Sequence, residues 1–122
     1  MFQTLLIRLT RLTRLIRASP LLLALASAAC AAPPAASVFK PLGSLQCSGG
    51  GQTAQALARS LADAGVPVLA TRCGSDGRMY PAVCGAADGR IGIFDIAASD
   101  AAAAAKLGFR ALGPEAQTRP CP

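Results

Sequence analysis

The sequence has no histidine and no tryptophan, and its 122 residues include only one tyrosine and four phenylalanines. Without histidine, it offers neither a Ser-His-Asp or Cys-His catalytic pair nor the usual ligands of a zinc site. The six carboxylates are scattered singly, so no two have the spacing of an acid–base couple. We therefore expect no catalytic residues, no metal and no cofactor. An enzyme working through serine, aspartate or lysine alone is the minor alternative.

Positive charge is in excess, but most of the excess lies at one end. Of the formal net charge of +6, the first 30 residues carry four arginines and no acidic residue. Residues 31–122 contain eight basic against six acidic residues. A domain with so small an excess and so few aromatic rings has no evident surface for tracking phosphates. We expect no nucleic-acid partner.

The first 30 residues have the order of a secretory signal. Arginines recur at every third position from Arg8 to Arg17, an apolar run follows at 21–26, and small residues occupy 27–32. This basic, apolar, small-residue order is typical of export signals. The apolar run is much shorter than the about 20 residues that span a bilayer. We predict a signal segment over 1–30 and an exported protein; a mitochondrial presequence is the alternative.

Cys30 suggests how the exported chain begins. The stretch Ser27-Ala28-Ala29-Cys30 resembles a bacterial lipobox, which implies a lipid on Cys30 and contact with the membrane through that lipid only. Ordinary cleavage after Ala28 or Ala31 would instead leave a soluble periplasmic protein. Both routes remain open. The small and proline-containing stretch 31–41 predicts a tether in either case.

Four cysteines remain once Cys30 is set aside, namely Cys47, Cys73, Cys84 and Cys121. In an oxidising compartment they predict two disulfides, with three pairings to choose from. A domain of about 75 residues buries little apolar surface, and each bridge adds about 2–4 kcal/mol. We predict Cys73–Cys84 and Cys47–Cys121, because the second bridge would hold both ends of the domain and close the longest loop.

Hydrophobic periodicity predicts six elements in the order β-α-β-β-β-α. The predicted strands are 42–47, 66–71, 79–85 and 91–96, and the predicted helices are 54–64 and 100–107. Thr53 and Ser99 are the expected N-caps, and glycines at 65 and 108 the expected stops. These elements make a small α+β two-layer sandwich stapled by two disulfides over 42–113, followed by a proline-rich tail over 114–122. Because Pro81 weakens the third strand, an irregular loop over 74–83 is the alternative.

A short pattern occurs twice: a Cys-Gly pair followed by Asp-Gly-Arg, at 73–78 and again at 84–90. Asp-Gly supplies the positive φ that tight turns require. We predict two similar turns, with Arg78, Tyr80 and Arg90 as a contact patch beside them.

The stretch from Cys73 to Cys84 resembles the core of Kazal-type protease inhibitors. It has the family's Cys-Gly-Ser-Asp-Gly, a tyrosine seven residues after the first cysteine and a further cysteine four residues later. It lacks the family's flanking cysteines, since Val66 stands where one is expected. The resemblance implies a secreted inhibitor acting through 73–84. Our main expectation is a non-enzymatic binding or structural accessory of the cell envelope, whose partner is an unknown protein or envelope component.

Overall fold

Five antiparallel strands and two short helices form the fold in the computed structural model, which describes residues 31–122. The predicted signal segment and Cys30 lie outside the described residues. In chain order the elements are β1 (Ala35–Pro41), α1 (Ala54–Asp63), β2 (Val68–Ser75), β3 (Arg90–Ala97), α2 (Ala101–Lys106), β4 (Arg110–Ala111) and β5 (Gln117–Arg119). The expected α+β class with two disulfides is confirmed.

The connectivity differs from the predicted one. The strands lie in the order β4-β1-β3-β2-β5, so β3 separates β1 from β2 and β1 separates β3 from β4. Helix α1 connects β1 to β2, and helix α2 connects β3 to β4. This is the split β-α-β arrangement, used twice, with β5 added at the edge beside β2. The observed order is β-α-β-β-α-β-β, whereas the sequence predicted β-α-β-β-β-α.

The predicted tether is wrong from Ala35 onward, because that stretch forms β1. All seven residues of β1 pair with β3, with Val38 opposite Phe94 and Phe39 opposite Ile93. Val38 is buried. The partner strand therefore outweighs the weak strand preference of the small residues. Pro41 ends the strand because it has no N–H to donate.

The strand predicted at 42–47 is also wrong. Leu42 is buried, but the chain then turns, and the backbone N–H of Leu45 donates to the Gly49 carbonyl at 2.9 Å. The apolar residues Leu42 and Leu45 suggested a strand that the geometry of this loop does not permit.

Helix α1 confirms its prediction to within one residue. The Thr53 hydroxyl accepts a hydrogen bond from the Ala56 N–H at 3.1 Å, which satisfies one of the free donors of the first turn. Leu57 and Leu61 are buried against the sheet. The helix ends at Asp63, and Gly65 follows with φ +83°. Cap, apolar stripe and stop are all local signals, which is why they could be read from the sequence.

The middle of the chain contains one strand fewer than predicted. Strand β2 begins two residues later than expected and continues through Cys73 to Ser75, where it pairs with β3. The strand predicted at 79–85 is an irregular connection. Pro81 offers no N–H, and both edges of β2 are already paired, to β3 and β5. The looser alternative, an irregular loop, therefore describes residues 76–83.

Strand β3 was predicted well and carries the core on both faces. Phe94 and Ile96 pack with the helices, where the rings of Phe94 and Phe109 meet edge to face at 5.5 Å. Ile91 and Ile93 point to the other face and are each 1% exposed. The face of β3 that carries Asp95 is therefore buried at this end of the strand, beside Ile91 and Ile93.

The C-terminal third contains two short strands that the sequence did not predict. Helix α2 follows a 3₁₀ turn at Ala98–Asp100, and its N-cap is Asp100, with no side-chain capping bond from Ser99. Strands β4 and β5 lie at opposite edges of the sheet, yet only residues 112–116 connect them. Four strand spacings measure about 19 Å, close to the full reach of so short a connection. The sheet therefore curls. The predicted proline-rich tail over 114–122 contains the edge strand β5.

Candidate functional site

The two Asp-Gly-Arg turns lie side by side at one end of the sheet. In each, the aspartate Oδ1 accepts the backbone N–H of the arginine two residues later, at 3.1 Å from Asp76 to Arg78 and 3.0 Å from Asp88 to Arg90. The Asp76 N–H donates to the Gly89 carbonyl at 3.0 Å, which joins one turn to the other. The repeated pattern is thus a pair of matching aspartate turns held together.

Tyr80 packs into the angle between these turns. Its hydroxyl donates to Asp76 Oδ2 at 2.5 Å. Gly89 has φ +73°, and a Cβ there would lie 2.8 Å from the Tyr80 ring. The hydrogen bond to Asp76, together with partial burial and the Asp76 charge, raises the pKa of Tyr80 above its ordinary value of 10.0. The phenol therefore stays protonated and keeps its donor.

The connection from Met79 to Ala87 is fastened at several points and begins with a fully exposed side chain. Gln46 Nε2 donates to the carbonyls of Pro81 and Ala87, at 2.7 and 3.1 Å. Disulfide Cys47–Cys84 joins the same two segments, with the Cα atoms 5.2 Å apart. Met79, by contrast, is 99% exposed. This segment therefore has a fixed frame, and the Met79 side chain is exposed at its start.

The predicted disulfide pairing is wrong for both bridges. Cys47 bridges Cys84, and Cys73 bridges Cys121. The prediction kept Cys73 close to Cys84, but β2 ends between them and the following connection carries Cys84 across to the Gln46 loop. Strand β5 places Arg119 opposite Cys73, which brings Cys121 within reach. The pairing depends on two features that the sequence did not show, namely β5 and the path of residues 76–89.

An open cleft of about 570 Å³ lies beside the paired turns. Its walls are the end of β2, the two turns, and the segment from Gln117 to Pro122 that Cys121 fastens to Cys73. Three arginines line it: Arg78, Arg90 and Arg119. Of the predicted contact residues, Arg78 and Arg90 therefore share this cleft, whereas Tyr80 does not line it and bonds to Asp76 instead.

The two aspartates of the cleft are occupied by bonds within the protein. Asp76 accepts from the Arg78 N–H and the Tyr80 hydroxyl. Asp88 accepts from the Arg90 N–H and, at 2.9 Å, from the Ser44 hydroxyl. Its second oxygen lies 3.7 Å from Arg90 Nε. Within residues 31–122, neither Arg78 nor Arg119 has a carboxylate within 4.0 Å. The carboxylates shape the turns, and two guanidinium groups remain available.

Arg119 was missed at the sequence level. It stands in a stretch that reads as a proline-rich tail, and only its pairing opposite Cys73 places it at the cleft. The one signal that could have found it is Cys121, two residues further along, because a bridged cysteine brings its neighbours to a fixed position.

A second polar cluster lies elsewhere on the sheet. The Ser37 hydroxyl donates to Asp95 at 2.5 Å, and Arg72 forms an ion pair with the same carboxylate at 2.7 Å. The Ser37 hydrogen bond first, and then Arg72, holds the pKa of Asp95 below its ordinary value, although burial opposes this. The three residues sit on β1, β3 and β2, so they connect the central strands. We regard this cluster as structural.

Comparison with known proteins gives no match to a family model, a curated protein or a solved structure. Among residues 31–122, no three potential ligand side chains converge as a metal centre would require. No helix in the same range has the length and apolar character needed to cross a bilayer. The cleft and the disulfide-fastened connection beside it are therefore the candidate functional features of the described residues.

Proposed function

We propose that this chain is an exported, non-enzymatic binding protein of the cell envelope. The observation that carries the proposal is the cleft between the paired turns and β5, whose walls are held by a disulfide and whose aspartates are already bonded. Preorganised walls favour binding because little conformational freedom is lost when a ligand arrives. The absence of histidine from the whole sequence supports binding rather than catalysis.

Two further features support export. The first 30 residues have the order of a secretory signal, and the two disulfides are consistent with an oxidising compartment. We propose that Cys30 is lipidated. Because β1 begins at Ala35, such a lipid would keep the domain at the bilayer surface.

Intact mass of the protein isolated from its cells tests the N-terminus. A mature chain beginning at a lipid-modified Cys30, and its release into the soluble fraction by Cys30→Ser, are the expected results. An unmodified N-terminus after Ala31 would replace the lipid-anchored form by a soluble periplasmic one. Retention of the arginine-rich leader in the mature protein would contradict export.

Binding is tested with the soluble Cys30→Ser protein, purified after export. We expect labelled protein to cosediment saturably with cell-envelope fragments from the same cells, and unlabelled protein to compete with it. A signal that rises linearly without saturation, or no cosedimentation, would contradict an envelope-binding role.

A secreted protease inhibitor acting through 73–84 is the second candidate. One observation favours it: Met79 is 99% exposed on a connection whose base is held by Cys47–Cys84 and by the Gln46 hydrogen bonds. Inhibitors of this type present one side chain on a stiff loop. The test is stoichiometric inhibition of a serine protease that accepts apolar side chains, and its loss in Met79→Asp with unchanged unfolding. Cleavage of the loop without inhibition would reject this candidate.

A further inference from the structure

The cleft beside the paired turns combines a defined cavity with guanidinium groups from three separate places in the chain. Arg78 and Arg90 come from the two turns, and Arg119 comes from β5. Guanidinium is a planar fork of donors that matches the oxygens of a carboxylate or a phosphate. Three such groups on the walls of one cavity favour a ligand that carries negative oxygens.

The arginines are held where a ligand would need them. The backbone of Arg78 and that of Arg90 are each fixed by an aspartate Oδ1, and the turns are joined by the bond from the Asp76 N–H to the Gly89 carbonyl. Strand β5 is fixed by its ladder with β2 and by Cys73–Cys121. Only the arginine side chains must become ordered when a ligand binds.

The two aspartates of the cleft do not neutralise its three arginines equally. Asp88 lies near Arg90, while the Asp76 oxygens are engaged by the Arg78 N–H and the Tyr80 hydroxyl. Arg78 and Arg119 are the two guanidinium groups without a carboxylate within 4.0 Å among the described residues. These two are the natural contacts for an incoming anion.

We infer that this cleft binds a ligand through an oxyanion group, either a phosphate or a carboxylate, held by Arg78 and Arg119 with Arg90 in support. The inference rests on the proposed function and names the ligand chemistry of the same site. Phosphate and carboxylate share the oxygen geometry that the guanidinium groups recognise, and the two arms of the experiment below separate them.

The experiment is a heteronuclear NMR titration of the exported Cys30→Ser protein. Inorganic phosphate is added in one arm and citrate in the other, with sodium chloride at equal ionic strength as the reference. We expect saturable shifts confined to the amides of the two turns and of β5, in at least one arm. The arm that saturates at the lower concentration identifies the preferred oxyanion.

Variants decide whether the arginines cause the effect. Arg119→Gln should weaken the binding about tenfold, since a charge-assisted pair is lost. Arg119→Lys should recover only part of it, because lysine keeps the charge and loses the fork. Arg59→Gln is the matched control: it removes the same charge from the exposed side of α1, away from the cleft, and should change nothing.

Two results of the titration would overturn the inference. One is the absence of saturable shifts with both anions, and the other is an equal loss of affinity in Arg59→Gln and Arg119→Gln. Envelope cosedimentation that survives in the double variant Arg78→Gln/Arg119→Gln would also overturn it, because the envelope would then bind without these arginines, and the proposed function would still stand. Phosphate or citrate binding without any envelope binding would do the reverse.

Discussion

Tyr80, Asp76 and Gly89 show how single residues set the shape of the site. Asp76 accepts the Arg78 N–H with one oxygen and the Tyr80 hydroxyl with the other. Gly89 must be glycine, because its φ is +73° and the Tyr80 ring fills the space that a Cβ would need. The turn, the ring and the carboxylate therefore depend on one another.

The pKa of Tyr80 reports on the contact between its phenol and Asp76. Its pKa is raised, so its share of the stability is fully present below the ordinary value of 10.0 and is lost as the pH rises through the folded-state pKa. The protein has one tyrosine and no tryptophan, so the ultraviolet absorbance of the phenolate reports on Tyr80 alone. Titration should give a midpoint above the ordinary one.

Asp76→Asn is the matched variant for this titration. Asparagine keeps an oxygen for the Arg78 N–H and removes the charge beside the phenol. The pKa of Tyr80 should move back toward 10.0. An identical midpoint in the two proteins would mean that Asp76 does not hold the phenol in solution.

Helix α1 and strand β1 differ in what makes them form. Helix α1 has a Thr53 cap, a stripe of Leu57 and Leu61 one turn apart, and a glycine stop, all within a single short segment. Strand β1 has no comparable local signal and forms because β3 and β4 pair with its two edges. The helix was therefore predictable in place and length, and the strand was not.

Thr53→Ala tests how much the cap contributes to α1. Loss of the bond from the Ala56 N–H should lower the free energy of unfolding by about 1 kcal/mol, measured by urea denaturation. Thr53→Ser keeps a hydroxyl at the same position and should cost much less. Equal destabilisation by serine and alanine would point to the lost methyl group rather than to the cap.

At the scale of the whole molecule, the two disulfides join parts of the chain that the sheet has already brought together. Their sequence separations, 37 and 48 residues, are similar, so the chain-entropy contributions are each about 4 kcal/mol. Their surroundings differ: Cys73 is 4% exposed in the core, whereas Cys47 lies in an exposed loop. Packing should therefore make Cys73–Cys121 the more costly bridge to remove.

We expect Cys73→Ala/Cys121→Ala to destabilise the exported protein more than Cys47→Ala/Cys84→Ala, within the 2–5 kcal/mol range of native bridges. Hydrogen exchange at β5 should accelerate in the first variant only. Peptide mapping without reduction should give the fragments 47–84 and 73–121. A fragment joining Cys47 to Cys121 would contradict the fold at the C-terminal segment.

A third variant separates backbone strain from loss of the bridge. Cys47 has φ +68°, the one non-glycine residue at positive φ within 31–122. Glycine adopts this conformation without cost, so Cys47→Gly/Cys84→Ala should be more stable than Cys47→Ala/Cys84→Ala by about 1 kcal/mol. If the two are equally stable, the loop relaxes once the bridge is gone.

Features that depend on neighbouring residues could be predicted from the sequence. Helix α1, the Asp-Gly turns, the position of β3 and the number of disulfides all follow from caps, periodicity and composition. Two of the three residues predicted as a contact patch, Arg78 and Arg90, line the cleft because their turns are local structures.

Contacts between distant segments, by contrast, could be seen only in the folded chain. The tether became β1, the tail supplied β5 with Arg119, and the cysteines exchanged the predicted partners. Each of these depends on strand register and on the path of the chain around a curled sheet. Short, weakly patterned segments carry no local record of their partners, because the free energy that orders them comes from burial against residues far away in the sequence.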